Sequence, residues 1–117
     1  DNRVWVYDTT TSMLTILYDV ATSSTPILSG VDNLTVTPAG DVVVAEDGGD
    51  MEIVAVAADG SLVSLVQVTG QELSEVTGPI FGPSLQRLYF SSQRGPDGLD
   101  ILGRSGITYE VSGPFFI

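Results

Sequence analysis

Short runs of Val, Ile, Leu, Tyr and Phe recur about every ten residues along this chain, separated by Gly, Asp, Ser and Pro. A short apolar run closed off at each end by turn-forming residues predicts a strand, because a strand presents alternate faces and needs a reversal at either end. The runs are Val4 to Tyr7, Met13 to Tyr18, Leu34 to Thr37, Val42 to Ala45, Ile53 to Val56, Leu62 to Val68, Val76 to Phe81, Leu88 to Ser91 and Ile107 to Val111. None of the spacing fits a helix, so the chain reads as all-β. The intervening segments carry matching chemistry: Pro38-Ala39-Gly40-Asp41, Asp59-Gly60 and Gly95-Pro96-Asp97-Gly98 supply glycines for positive φ or a proline with φ pre-set. Asp59-Gly60 is the strongest hairpin signal.

The chain also resembles itself. Val4 to Leu17 aligns without gaps on Ile53 to Val66, an offset of 49 residues, and Leu34 to Pro38 matches Gly78 to Pro83 at an offset of 45 to 46. Four strands repeated with a period of about 40 to 50 residues are the pattern of β-propeller blades. With blade strands lettered A to D from the inside outward, residues 3–20 read as half a blade, 32–68 as a full blade, and 75–112 as a blade without its outer strand. That makes two to two and a half four-stranded antiparallel blades, where closure takes about four to eight. Three arrangements are open: a piece of a longer polypeptide, copies assembling into a ring, or a small sandwich that imitates the repeat. Neither end reads as the polar cap that a terminal repeat normally carries. Residues 96–106 read as one long Gly/Asp-rich loop.

Composition narrows the chemistry. Fifteen acidic residues face four basic ones, all arginine, with a formal net charge of −11 and no histidine or cysteine among the 117 residues. A phosphate-tracking basic surface is missing, which argues against nucleic acid as a partner. Without Cys, His or Lys there is no thiol nucleophile, no Ser-His dyad and no phosphate-loop lysine. Carboxylate, arginine and hydroxyl chemistry remains. No apolar run reaches the roughly 18 residues of a membrane span, and Asp1-Asn2-Arg3 reads as the start of a processed or excised chain.

Glu46-Asp47-Gly48-Gly49-Asp50, followed by Glu52, is the densest polar feature. Carboxylates interleaved with glycines suit a hard cation such as calcium, which wants several oxygen ligands on a backbone free to bend. A solvated turn in an acidic protein accounts for the same residues. Asp32-Asn33, just ahead of an inner strand, would stand at the channel mouth or would cap a turn. Arg94, in Ser91-Ser92-Gln93-Arg94, could grip a phosphate in bidentate fashion or pair with the acidic excess. Trp5, Tyr7, Tyr18, Phe81, Tyr89, Phe90 and Tyr109 read as core or blade-packing residues, and Gly113-Pro114-Phe115-Phe116 as a docked tail.

Asp32 to Gly49 resembles a signature of the PhoX-type alkaline phosphatase family, as do Leu88 to Gly95 and the ending Gly106-Ile107-Thr108-Tyr109-Glu110-Val111-Ser112-Gly113-Pro114-Phe115. The similarity runs from about Arg3 to the end and corresponds to the C-terminal part of a typical member. The resemblance implies a six-bladed propeller, secreted or periplasmic, that hydrolyses small phosphate esters at a channel-mouth cluster of calcium and iron. It also implies that the rest of the ring comes in cis, or from other copies in trans. By motif match it makes Glu46 a metal ligand, Asp47 and Asp32 ligands or supports of ligands, and Arg94 a phosphate contact. The thiolate that binds iron in the family has no counterpart here. The competing expectation is a non-catalytic, calcium-stabilised binding or structural module.

Overall fold

The computed structural model describes residues 2–96 and 106–115. Among them nine strands form three antiparallel sheets and no helix. The first sheet pairs β1 (Arg3–Asp8) with β2 (Met13–Asp19); the second runs β3 (Val31–Val36), β4 (Val42–Glu46), β5 (Glu52–Val56), β6 (Leu62–Gln67); the third runs β7 (Val76–Phe81), β8 (Arg87–Ser92), β9 (Ile107–Ser112). Within each sheet, strands adjacent in sequence are adjacent in space. Most of the proposed 96–106 loop, with Asp97-Gly98 of its turn, lies outside the described residues, as does Phe116 of the tail.

The sheets stack face to face with the four-stranded one in the middle. Val43, Ala45, Ile53 and Ala55 point to one side of it and pack on Val76, Leu88 and Phe90 of the third sheet. Val44, Val54 and Val56 point to the other side and meet Val4 and Tyr18 of the first sheet, with Leu28 from the connecting segment. β4 and β5 are apolar at nearly every position because both their faces are covered, whereas β9 alternates because one of its faces is open. Tyr18 Oη donates to the Leu28 carbonyl at 2.6 Å, which satisfies the one polar atom this aromatic carries into the core.

The turns decide which faces meet. Between β5 and β6 the Ala57 N–H donates to Ser61 O at 2.9 Å and Gly60 takes φ of 82°, so Val56 pairs with Leu62. Between β1 and β2 the Asp8 carboxylate accepts the N–H groups of Thr10 and Thr11, Ser12 takes φ of 58°, and Tyr7 pairs with Leu14. That turn is one residue longer. The gapless sequence match therefore fails after it: Leu14, not Met13, is the counterpart of Leu62, and a one-residue slip exchanges the faces of β2.

Two further expectations change. Asp32 and Asn33 belong to β3 rather than preceding it. Asn33 Oδ1 accepts the Thr77 hydroxyl and, at 3.0 Å, the Gly78 N–H, tying the first strands of two sheets side by side with their starts at the same end. Trp5 and Tyr7 are not core: they face outward and are roughly half exposed, while Tyr18 and Phe90 are buried. The outer face of the third sheet is mixed, with a Ser91–Thr108 hydroxyl contact of 3.0 Å and an Arg87–Glu110 ion pair of 3.5 Å beside the exposed Ile80, which pairs with Tyr89.

Candidate metal centre

Strand order brings the start of β3, the end of β4 and the start of β5 to one end of the middle sheet. Glu46 closes β4 opposite Val31 and is fully buried. Its Oε1 accepts the Ser29 N–H at 2.7 Å and its Oε2 accepts the Glu52 N–H at 3.0 Å. The following turn passes through three left-handed residues, Gly48 at φ 77°, Gly49 at 68° and Met51 at 61°. Glycine adopts that region freely; Met51 does so at a cost of about 1 kcal/mol or more, offset by a side chain buried between the second and third sheets. The reversal returns Asp50 and Glu52 to the Glu46 side chain.

One carboxylate oxygen from each of Glu46, Asp50 and Glu52 lies within 4.8 Å of the others. Calcium holds oxygens at about 2.3–2.6 Å, so ligands across one ion can stand no further apart than roughly 5 Å, and this spacing fits. All three donors are carboxylate, the chemistry of a hard cation; the chain offers neither thiolate nor imidazole. The electrostatics agree. Burial first, and then the Asp50 carboxyl beside it, push Glu46 up to about 7 against the pull of its two N–H donors. A cation here would relieve both causes, and binding would displace a proton. Glu52 is also held by Ser64, whose hydroxyl donates to its Oε1 at 2.7 Å.

The expected ligands divide into two groups. Glu46 joins Asp50 and Glu52, both part of the acidic run in the sequence. Asp47 and Asp32 lie instead toward Glu75 and Arg94. The Glu75 carboxyl is raised by burial, by hydrogen bonding to the Asp47 carboxyl and by the charges of Asp47 and Asp32, while Arg94 opposes the rise. Arg94 Nη2 stands 3.1 Å from Glu75 Oε2. Glu75 escaped the sequence reading because a single carboxylate before a strand resembles an ordinary turn residue. The internal repeat carried no signal for it, since its counterpart is Gly30: the Asp47 N–H donates to Gly30 O as the Gln93 N–H donates to Glu75 O.

That same equivalence makes Ser92 and Ser74 the counterparts of Glu46 and Ser29. Ser92 Oγ donates to Ser74 Oγ at 2.8 Å, and the N–H groups of Arg94 and Gly95 close the corner on these hydroxyls. Both serines are buried. Gly30 admits the close approach at the acidic corner: φ is 61°, and a Cβ there would stand 2.7 Å from Asp47 O. Gly30→Ala is expected to lower stability by roughly 1–3 kcal/mol and to weaken any cation effect, read from urea midpoints with and without calcium.

A stack of antiparallel sheets with a buried carboxylate gathering two more at one end defines an all-β protein with a candidate hard-cation centre. The chain matches the family model for alkaline phosphatase PhoX over residues 8–96, most of its length, and belongs to that family. No curated protein and no solved structure matches it. The matched span contains Asp32, Glu46, Asp47, Asp50, Glu52, Glu75 and Arg94. No helix among the described residues is long and apolar enough to cross a membrane.

Proposed function

We propose that this chain forms part of a secreted or periplasmic, calcium-dependent phosphomonoesterase, with the acidic end of the stacked sheets as its working face. The observation that carries the reading is the contrast between two equivalent corners. In the third sheet the corner closes on a neutral Ser92–Ser74 hydroxyl pair; in the second it closes on a buried carboxylate crowded by two others. Closing the corner requires no charge, and burying an unneutralised carboxylate costs several kcal/mol. A bound cation makes the carboxylates favourable.

Glu46, Asp50 and Glu52 would hold the ion, while Asp32, Asp47 and Glu75 form a separate acidic group around Arg94. A divalent cation supplies charge neutralisation for a phosphate ester and lowers the pKa of bound water. Two backbone N–H donors fix the orientation of Glu46 without any movement of the strands. Arg94 would meet the phosphate by exchanging its Glu75 partner for a phosphate oxygen. In this reading the sheets are consecutive blades: 3–20 half a blade, 32–68 a full one, 75–112 one without its outer strand. The six-bladed ring is completed by further sheets in cis or in trans, and turnover requires them. Iron belongs to the family expectation, and its thiolate would have to come from outside this chain.

A second reading, a non-catalytic calcium-stabilised module, is favoured by one observation: the Glu46 oxygens already tie Ser29 and Glu52 into the fold. Two measurements separate the readings. The first is the melting midpoint of this chain with calcium and with chelator; the second is calcium-dependent phosphate release from an aryl phosphate by the complete ring, with and without Glu46→Gln. A calcium-raised midpoint with turnover lost in the variant supports the enzyme, and a raised midpoint without turnover supports the module. An unchanged midpoint leaves the corner as a turn.

A further inference from the structure

Two short hydrogen bonds meet on one peptide group. Tyr18 Oη donates to Leu28 O at 2.6 Å, and the N–H of the next residue, Ser29, donates to Glu46 Oε1 at 2.7 Å. The Leu28 carbonyl and the Ser29 N–H belong to the same planar amide, across which electron density is delocalised. A donor on the oxygen draws density from the nitrogen and makes its N–H a stronger donor, so the two bonds reinforce each other. Water is kept from both ends of this relay, since Tyr18, Leu28 and Glu46 are all buried. Burial pushes the Tyr18 phenol up, against the pull of its bond to Leu28 and with the charges of Glu46 and Asp19 adding to the rise, so it keeps the proton it donates.

We infer that Tyr18 is a positioning residue of the cation centre: through the Leu28–Ser29 peptide it holds the Glu46 carboxylate charged and oriented toward the ion. The inference deepens the cation reading and, where it concerns the ion, rests on it. The internal repeat supplies a second argument. Tyr18 stands opposite Val4, with Leu17 as an extra residue before it in β2; Val66 stands opposite Ile53, with Leu65 as the extra residue in β6. Each points toward the sheet that follows its own. By the same equivalence Leu73 and Ser74 correspond to Leu28 and Ser29. The corner that closes on Glu46 therefore has a phenol behind its peptide, while the corner that closes on Ser92 has a valine. There Arg94 Nη1 donates to the Leu73 carbonyl instead, at 3.4 Å. Packing at this position does not call for a hydroxyl, which costs free energy to bury. The hydroxyl accompanies the carboxylate.

Tyr18→Phe removes the hydroxyl and keeps the ring. It is compared with the parent chain by NMR in chelator and by calorimetric titration of calcium, both well above pH 7, where the Glu46 carboxyl is ionised. The Ser29 amide proton should move upfield by more than those of its neighbours, and the calcium dissociation constant should rise about tenfold, as for other outer partners of metal ligands. Leu62→Ala loosens the same packing without touching the relay. It should lower the urea midpoint while the Ser29 amide and the calcium constant stay in place. Glu46→Gln breaks the relay from the other end and, in chelator, should shift the Cζ resonance of Tyr18. A Tyr18→Phe chain that behaves like Leu62→Ala, less stable but with the Ser29 amide unmoved and calcium affinity unchanged, would overturn the inference. If the parent chain binds no calcium, the cation reading falls, and the hold of Tyr18 on Glu46 is decided by the two NMR shifts alone. If Tyr18→Phe fails to fold, the Tyr18 shift in Glu46→Gln decides: a shift supports the relay, and an unmoved resonance overturns it.

Discussion

Raising the pH from about 4.5 to about 7 without divalent cations is expected to remove roughly 3 kcal/mol of stability through Glu46 alone. The sign follows from proton binding. The folded carboxyl titrates near 7, above its ordinary value, so across this window the native state holds a proton that the unfolded chain has released. The contribution is complete below the unfolded value, falls as pH rises through the folded one, and is flat beyond. Asp19 behaves oppositely: its hydrogen bond to Arg3, with help from the Ala21 N–H, holds it low, so its contribution disappears only as pH falls below the usual carboxylate range. The two windows do not overlap. Glu46→Gln should abolish the slope between pH 5 and 7. It should also cost about 1–3 kcal/mol where Glu46 is ionised, because the amide turns an NH2 group, itself a donor, toward either the Ser29 or the Glu52 N–H. Urea midpoints of both proteins in chelator, taken at half-unit pH steps, provide the check.

Met51→Ala is expected to be the most damaging single change near the corner, lowering stability by about 2–4 kcal/mol. Its side chain lies fully buried among Val43, Ile53, Val76 and Phe90, while its backbone takes φ of 61° and accepts the Val68 N–H at 3.1 Å. Alanine keeps the strained backbone and forfeits the burial that offsets it. The acidic turn then loses the anchor that returns Asp50 and Glu52 to Glu46. Calcium should therefore raise the midpoint of this variant less than that of the parent chain. Met51→Leu, which keeps the volume, should cost less than about 1.5 kcal/mol and retain the calcium response.

The strands were legible because each apolar run is short, bounded and spaced for a two-residue period. The repeat was legible because successive sheets bury equivalent positions. What escaped was register. An extra residue in the Thr9–Ser12 turn changes no hydrophobic run, yet it exchanges the faces of β2. Trp5 and Tyr7 likewise carry the pattern of a core strand, and nothing local reveals whether a neighbour covers them. At the site, the acidic run was visible as composition, but its division was not. Alternation sends Glu46 and Asp47 to opposite sides of the chain, and the left-handed passage through Gly48, Gly49 and Met51 then brings Asp50 and Glu52 back to Glu46. Which carboxylates converge around a turn depends on backbone angles that glycine leaves undetermined in the sequence. Glu75 reaches Asp47 only when the second and third sheets stack, a contact between residues far apart in the chain.

The central claim is that the buried Glu46 carboxylate and its two neighbours form a cation site. Calorimetric titration of calcium into the chain near pH 7, repeated in buffers of different ionisation enthalpy, tests it most directly. Saturable binding near one ion per chain, with protons released on binding and both lost in Glu46→Gln, is the expected result. The absence of saturable heat up to millimolar calcium, or binding that Glu46→Gln leaves unchanged, would contradict it.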